Sequence, residues 1–175
     1  SIESLSTDVG VSIVSEHQTT RCGTIAIVGR PNVGKSTLLN YLVGSKISIT
    51  SKKAQTTRYQ LLGIQTIDDT QFLFIDTPGF QLKHLNLMNK GLNKTVNQVL
   101  SDVDVVLFVI ESRGMTEEDQ AVMKLIPKDR PTILVMNKVD LMKDKNALLK
   151  EIKTMSESYS FKAMVPVSAK KNKHL

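Results

Sequence analysis

The residues with the clearest chemical potential form one stretch, Gly29–Thr37, with the sequence GRPNVGKST. An apolar, β-branched run over residues 24–28 predicts a buried strand before it, and residues 38–43 predict a helix after it. A glycine-rich loop in this setting is typical of phosphate binding, because backbone N–H groups and the positive helix end point at one centre. The predicted phosphate-binding residues are Gly29, Arg30, Pro31, Asn32, Val33, Gly34, Lys35, Ser36 and Thr37.

Lys35 and Ser36 define the chemistry expected of this loop. Lys35 would place its charge on the β- and γ-phosphates of a nucleotide, and the Ser36 hydroxyl would bind Mg²⁺. A chance Gly-Lys-Ser in an ordinary turn is the alternative, but the spacing and both flanks favour the phosphate-binding loop. We therefore predict that Lys35 is catalytic and that Ser36 is a metal ligand.

A second motif, DTPGF, follows an apolar run over residues 72–75 that predicts a strand. A carboxylate that leaves a buried strand at the phosphate end can bind Mg²⁺, directly or through water, so Asp76 is a predicted metal ligand. Gly79 has no Cβ, so its N–H can approach a γ-phosphate, and we predict a catalytic role for it. The alternative is a strand that simply ends in a Thr-Pro-Gly turn. The predicted nucleotide contacts are Asp76, Thr77, Pro78, Gly79 and Phe80.

A third motif, NKVD, follows an apolar run over residues 133–136. The Asp140 carboxylate can accept hydrogen bonds from both N1 and N2 of guanine, whereas adenine offers neither donor. Asn137 can bridge the base and the phosphate loop, and the apolar stem of Lys138 can lie on the ring face. By itself the motif is also compatible with a solvated turn. The predicted base contacts are Asn137, Lys138, Val139 and Asp140.

Two shorter motifs extend these predictions. Ser168, Ala169 and Lys170 follow the last predicted strand, and the N–H of Ala169 could reach guanine O6, although a plain strand end fits equally well. Thr57 lies in a polar loop, where its hydroxyl could complete the Mg²⁺ shell when a γ-phosphate is present and so act as a switch. Thr56 is the alternative ligand, and two threonines in a polar loop are otherwise ordinary.

The rest of the chain predicts the elements that would position these motifs. Residues 59–67 and 71–75 predict two strands joined by a hairpin turn. Strands at 103–110, 132–136 and 161–167 then alternate with helices at 87–100, 116–126 and 143–158. Thr116 is the predicted N-cap of the second of these helices, with the acidic residues 117–119 in its first turn. This order predicts a three-layer α/β fold of the P-loop NTPase class, with a mostly parallel sheet and one antiparallel edge strand. Ligands bind at the carboxyl ends of the strands in such sheets, where each motif falls.

Composition limits the class of protein further. The 175 residues are 41% hydrophobic, which fits one α/β domain with a real core. A formal charge of +6 permits binding to RNA or to an anionic membrane surface without requiring either. Cys22 is the only cysteine, which excludes a disulfide framework and favours a reducing, cytoplasmic compartment. No apolar run approaches the roughly 20 residues of a membrane span.

Two segments lie outside the predicted sheet and helices. Residues 1–22 are rich in Ser, Thr and acidic residues, and they predict a flexible N-terminal extension without a signal peptide. A short strand near residues 9–14 is the alternative. Residues 44–59 predict a mobile loop, because lysines and arginine are mixed there with many Ser and Thr residues.

The five motifs, in this order, resemble the Era family of bacterial GTPases. The matching segments are GRPNVGKSTLLN at 29–40, KISITSKKAQTTR at 46–58, DTPGF at 76–80, NKVD at 137–140 and SAK at 168–170. The AQTTR part discriminates best, because the related Der and MnmE GTPases look different there and after the Mg²⁺ aspartate. The resemblance covers residues 23–175, which we predict to form an Era-type G domain.

The resemblance implies a GTP-hydrolysing switch that uses Mg²⁺, binds GTP and GDP and acts in assembly of the small ribosomal subunit. In that family a C-terminal KH domain contacts 16S rRNA and the 30S subunit, and a final helix precedes it. Neither is expected in this chain, which ends at Leu175 and contains no Gly-x-x-Gly loop. A cytoplasmic location and peripheral association with the inner membrane are implied by the family only.

The resemblance also bears on the rate of hydrolysis. Ras-type enzymes orient the attacking water with a Gln where this chain has Phe80, which cannot hydrogen-bond, so we expect slow intrinsic turnover. Asn32 stands where several related GTPases hold K⁺, although a tight turn also favours Asn. The predicted catalytic residues are Lys35, Thr57 and Gly79. The alternatives are a Der- or MnmE-type GTPase and a GTP-binding interaction module with negligible hydrolysis.

Overall fold

The structure is a computed structural model that describes residues 21–43, 60–77, 90–142 and 144–168. These residues form six strands and four helices, in the chain order β1 (Arg21–Val28), α1 (Lys35–Val43), β2 (Gln60–Ile67), β3 (Thr70–Asp76), α2 (Lys90–Asp102), β4 (Val105–Glu111), α3 (Glu117–Leu125), β5 (Thr132–Asn137), α4 (Lys145–Ser158) and β6 (Ala163–Pro166). A short 3₁₀ turn at Val139–Leu141 separates β5 from α4. The part of the chain described here holds no helix with the length and apolar character needed to cross a membrane.

The strands form one sheet in the order β2-β3-β1-β4-β5-β6. Only the β2–β3 pair is antiparallel, and the other four neighbouring pairs are parallel. Strand β2 lies at an edge and is joined to β3 by a tight turn in which Asp68 has a φ of 52°. The predicted α/β architecture with a single antiparallel edge strand is therefore confirmed.

Side chains alternate between the two faces of the sheet and form two apolar clusters. On one face Val28, Phe108 and Leu134 are fully buried against Leu100 of α2 and Val122 of α3. Residues of α4 complete this cluster, including Met155 and Ile152. Helices α2, α3 and α4 therefore cover the same face.

The second cluster lies on the opposite face. Ile27, Leu107 and Val135 contribute the alternate side chains of their strands and pack with Leu38 of α1. Val33, from the loop before α1, is also fully buried there. Because α1 covers this face and the other helices cover the first, the fold has three layers.

Helix ends follow local sequence signals. Thr116 caps α3, its hydroxyl accepting the N–H of Asp119 while the Asp119 carboxylate accepts the N–H of Thr116. The predicted N-cap at this position is therefore confirmed. Asp144 caps α4 in the same manner by accepting the N–H of Ala147 at 2.9 Å.

Strand ends depart from the predictions where pairing with a distant strand decides them. Strand β1 begins at Arg21, because Arg21 and Cys22 pair with Thr70 and Gln71 of β3, so the extension predicted for residues 1–22 ends too late. Strand β4 begins at Val105 rather than at residue 103. Strand β6 covers only residues 163–166 of the predicted 161–167. The predicted alternative strand near residues 9–14 and the loop at 44–59 lie outside the described residues.

Candidate functional site

The motif-bearing loops emerge at one edge of the sheet. Ile27, near the end of β1, is in register with Asp76 at the end of β3. Glu111, at the end of β4, is in register with Asn137 at the end of β5. Because these strands are parallel, the loops that follow them meet at their carboxyl ends, where ligands bind in such folds.

The loop between β1 and α1 adopts a tight backbone conformation that requires glycine at two positions. A Cβ on Gly29 would lie 2.5 Å from the carbonyl oxygen of Val109, which is closer than any side chain tolerates. Gly34 has a φ of 96°, and a Cβ there would overlap Nδ2 of Asn137. Asn32 also adopts the left-handed region, with a φ of 66°. The chain therefore curls tightly between β1 and α1.

Lys35 is half-buried at the first position of α1 and lies under this loop. Its Nζ donates to the carbonyl oxygens of Gly29, at 2.6 Å, and Arg30, at 3.0 Å. Burial lowers the pKa of Lys35 from its ordinary value, and the nearby charge of Asp76 acts in the opposite direction. The ammonium group is thus held at the centre of the curled backbone.

Asp76 lies next to Lys35 at the end of β3. Burial raises the pKa of Asp76 from its ordinary value, although a backbone hydrogen bond from Thr77 and the charge of Lys35 lower it. The buried hydroxyl of Thr77 donates to the carbonyl oxygen of Ile27 at 3.3 Å and fixes the turn out of the strand. The carboxylate is therefore held beside β1.

A small cavity of about 60 Å³ lies between the phosphate loop and the end of β3. Its lining includes Ser36 and Asp76 together with Lys35. Hydroxyl and carboxylate oxygens are ligands that Mg²⁺ prefers in proteins. The residues present therefore fit this metal.

The turn after β5 contacts the phosphate loop directly. Asn137 is 3% exposed, and its Nδ2 donates to the carbonyl oxygen of Val33 at 2.9 Å. Lys138 has a left-handed φ of 61°, and its Nζ donates to the carbonyl oxygen of Asn32 at 2.9 Å. Two separate parts of the sequence thus meet side by side.

Asp140 and its neighbour Val139 are held by the residues that directly follow β6. The buried hydroxyl of Ser168 donates to Oδ1 of Asp140 at 2.5 Å, and the N–H of Val139 donates to the carbonyl oxygen of Val167 at 3.1 Å. A cavity of about 490 Å³ opens beside them, with a volume typical of small-molecule sites. Its lining residues are Gly34, Thr37, Asn137, Lys138, Asp140, Leu141 and Ser168.

Two acidic residues of the site were not predicted from the sequence. Oε1 of Glu111 accepts from Nζ of Lys138 at 2.6 Å and lies 3.6 Å from Nη2 of Arg30. Asp119, predicted only as part of the first turn of α3, lies 3.4 Å from Nε of Arg30. The sequence does contain a signal for Glu111. An acidic residue directly after an apolar strand lies at the carboxyl edge of the sheet, where ligands bind.

Several predicted site residues lie outside the described part of the chain. They are Thr56, Thr57, Pro78, Gly79, Phe80, Ala169 and Lys170. The structure brings together the predicted residues of the phosphate loop, Asp76 and Thr77, the residues 137–140 and Ser168. The predicted roles of all these residues remain predictions.

Comparison with known proteins gives consistent results. A sequence profile of the family described as 50S ribosome-binding GTPase matches residues 24–138. GTPase Era of Nitrosomonas eutropha is 51% identical over 155 residues, which cover 89% of this chain and 52% of that protein. GTPase Era of Chromobacterium violaceum is 53% identical over 154 residues, which cover 88% of this chain and 52% of that protein. The chain thus spans about half the length of these curated relatives.

Comparison with a solved structure shows the same relationship at the level of the fold. The crystal structure of Era in complex with MgGDPNP and nucleotides 1506–1542 of 16S ribosomal RNA matches with a TM-score of 0.67 and 37% identity. The match covers 87% of this chain and 52% of that one. The predicted resemblance is therefore confirmed, and a Der- or MnmE-type assignment is not favoured. The chain belongs to the family of 50S ribosome-binding GTPases, and its G domain is of the Era type.

Proposed function

We propose that this chain binds guanine nucleotides and hydrolyses GTP to GDP and phosphate, as a molecular switch. One observation carries the proposal: a single cavity is lined by Gly34 and Thr37 of the phosphate loop and by Asp140 and Ser168 on its other side. A nucleotide needs a phosphate site and a base site at a fixed separation. The hydrogen bond from Asn137 to Val33 joins the two loops and supports such an arrangement.

The base side of the cavity favours guanine. Asp140 would accept hydrogen bonds from N1–H and N2–H, while its bond from Ser168 holds the carboxylate in place. An adenine in the same position would offer no N–H donor to this partly buried carboxylate, at a cost of about 1–3 kcal/mol. The stem of Lys138 would lie along the ring, and the N–H of Ala169 would reach O6, as the SAK motif predicts. Val139 and Lys170 would complete the set of residues around the base.

The phosphate side is built from charge and backbone. Lys35 would bind the β- and γ-phosphates, with backbone N–H groups of the phosphate loop around them. Ser36 and Asp76 would hold Mg²⁺, with Thr57 joining them when a γ-phosphate is present. The metal, when bound, would supply positive charge that offsets the negative charge of the phosphates.

Hydrolysis is proposed to be slow in the chain alone. Lys35 would stabilise charge that develops on the transferred phosphoryl group, and the N–H of Gly79 would approach the γ-phosphate. Phe80 offers no hydrogen bond to the attacking water. An interaction module that binds GTP without useful hydrolysis is therefore the natural comparison in any test.

The wider role is proposed from the relatives. Era was solved in complex with a 16S rRNA segment. We infer that this G domain acts in assembly of the small ribosomal subunit, with 16S rRNA and the 30S subunit as partners through a KH domain of the Era type. A cytoplasmic location, with peripheral association with the inner membrane, is part of the same inference and rests on the resemblance.

The proposal is tested with the purified chain and fluorescent nucleotides. We expect GDP and GTP to bind in the presence of Mg²⁺, whereas ADP and ATP should not bind in the same concentration range. Phosphate should be released from GTP only. Tight GTP binding without phosphate release would favour the interaction module. Failure to bind any guanine nucleotide with Mg²⁺ present would contradict the whole assignment.

A further inference from the structure

Glu111 connects the phosphate loop with the turn after β5 through ion pairs to Arg30 and Lys138. It is the last residue of β4, and its side chain is 21% exposed. Its Oε1 accepts a hydrogen bond from Nζ of Lys138 at 2.6 Å and lies 3.6 Å from Nη2 of Arg30. One carboxylate oxygen therefore contacts a cation from the phosphate loop and a cation from the turn after β5.

Arg30 has a second acidic partner on α3. Its Nε lies 3.4 Å from the carboxylate of Asp119, which is fully buried and whose Oδ2 also accepts from the N–H of Thr116. Two acids and two bases thus form a neutral group of four, Glu111, Asp119, Arg30 and Lys138. Its members come from the loop after β1, the end of β4, the first turn of α3 and the turn after β5.

We propose that Glu111 is a positioning residue for guanine-nucleotide binding, which acts through Lys138 and secondarily through Arg30. Lys138 lines the base side of the cavity, and its Nζ is held at two points, Glu111 and the carbonyl oxygen of Asn32. Holding the end of a long side chain stretches its stem along the cavity wall before any ligand arrives. The inference rests on the proposed function, because the ligand is the same nucleotide.

The physical reason is preorganisation. A free lysine side chain samples many rotamers, and ordering it during binding reduces affinity. With Glu111 present, the rotamer of Lys138 is already selected by a charge-assisted hydrogen bond. Without the carboxylate charge, Lys138 keeps only neutral oxygen acceptors and its side chain samples more rotamers. The base would then bind against a less ordered side chain.

The decisive variant is Glu111→Gln, which keeps the size of the side chain and removes its charge. We expect the Kd for fluorescent GDP with Mg²⁺ to rise about ten-fold, the effect of losing one charge-assisted contact. Glu118→Gln is the matched control, because Glu118 is an exposed acid in the first turn of α3. The control should change the Kd less than about two-fold.

A double-mutant cycle separates positioning from a merely structural role. Lys138→Met keeps an unbranched apolar stem and removes the cation. If Glu111 acts through Lys138, Glu111→Gln will raise the Kd less than about three-fold in the Lys138→Met background. Effects that multiply instead would overturn the proposal, as would a wild-type Kd in Glu111→Gln.

Folding is monitored by thermal unfolding of each variant. If Glu111→Gln does not fold, the same cycle is run with Glu111→Asp, which keeps the charge but shortens the side chain by one methylene. A lower Tm with an unchanged Kd would assign Glu111 a structural role alone and overturn the inference. A wild-type chain that binds no GDP would instead overturn the proposed function, and this inference with it.

Discussion

Asn137 donates a hydrogen bond from Nδ2 to the backbone carbonyl oxygen of Val33 over 2.9 Å, and both residues are buried. This bond joins the turn after β5 to the phosphate loop. Asn137→Ala would leave the Val33 carbonyl without this donor in a dry environment. We expect a loss of about 1–3 kcal/mol in the free energy of unfolding, measured by urea denaturation.

Asn97→Ala is the matched control for that variant. The Nδ2 of Asn97 also donates to a backbone carbonyl oxygen, that of Leu125 at 3.2 Å, but the side chain is exposed on α2. Water replaces such a bond, so the change in unfolding free energy should stay within about 0.5 kcal/mol. Equal losses in the two variants would contradict the importance of burial at Asn137.

Gly34→Ala tests the shape of the phosphate loop. The φ of 96° is unfavourable for alanine, and the added Cβ would overlap Nδ2 of Asn137. We expect a loss of about 1–3 kcal/mol in unfolding free energy together with loss of GDP binding. In Gly23→Ala the new Cβ meets only the side chain of Phe72 at 3.8 Å, so stability and binding should be retained.

Asp140→Asn tests base selection. An asparagine presents an N–H where the carboxylate accepted from guanine, so the Kd for GDP should rise by about ten-fold to a hundred-fold. Xanthosine diphosphate, whose 2-oxo group inverts that hydrogen bond, should bind better than GDP. Asp144→Asn is the control, because Asn also caps helices well and Asp144 serves α4 only. Retained GDP preference in Asp140→Asn would refute the proposed base recognition.

The pH dependence of stability tests the ion pairs of Glu111. The pKa of Glu111 lies below its ordinary value of 4.5, chiefly because of the hydrogen bond from Lys138, with further help from the charges of Lys138, Arg30 and Arg113 and with burial opposing. A lowered pKa contributes stability above the ordinary value, and that contribution is lost as the pH falls through the folded-state pKa.

Glu111→Gln should therefore be less stable than the wild type at pH 7, and the difference should shrink as the pH falls below about 4.5. Urea denaturation between pH 3 and pH 7 measures it. A gap between wild type and Glu111→Gln that stays constant over this range would contradict the assignment.

Asn32→Gly separates the two explanations of Asn32. Glycine accepts the φ of 66° without a side chain, so the loop keeps its conformation while any K⁺ ligand is lost. If Asn32 holds K⁺, wild-type GTP turnover will be faster in KCl than in NaCl, and the variant will lose this difference with GDP affinity unchanged. Equal wild-type rates in the two salts would remove the K⁺ proposal.

Local sequence patterns predict most of the secondary structure correctly. Thr116 caps α3 as predicted, because a capping box depends on residues three positions apart. The hairpin at residues 68–69 and the antiparallel edge strand followed from turn residues between two apolar runs. Strand β1 starts earlier than its local pattern predicts, because its first residues are in the strand only through pairing with β3, about 50 residues away.

The amino-acid sequence by itself determined the class of fold and the motifs, because periodicity, turn chemistry and glycine spacing act between near neighbours. Only the tertiary structure decided which charged side chains meet. Arg30 and Asp119 are 89 positions apart, and Lys138 and Glu111 are 27 apart. Such pairs form where strand register and helix packing bring backbone segments together, and no local pattern encodes that geometry.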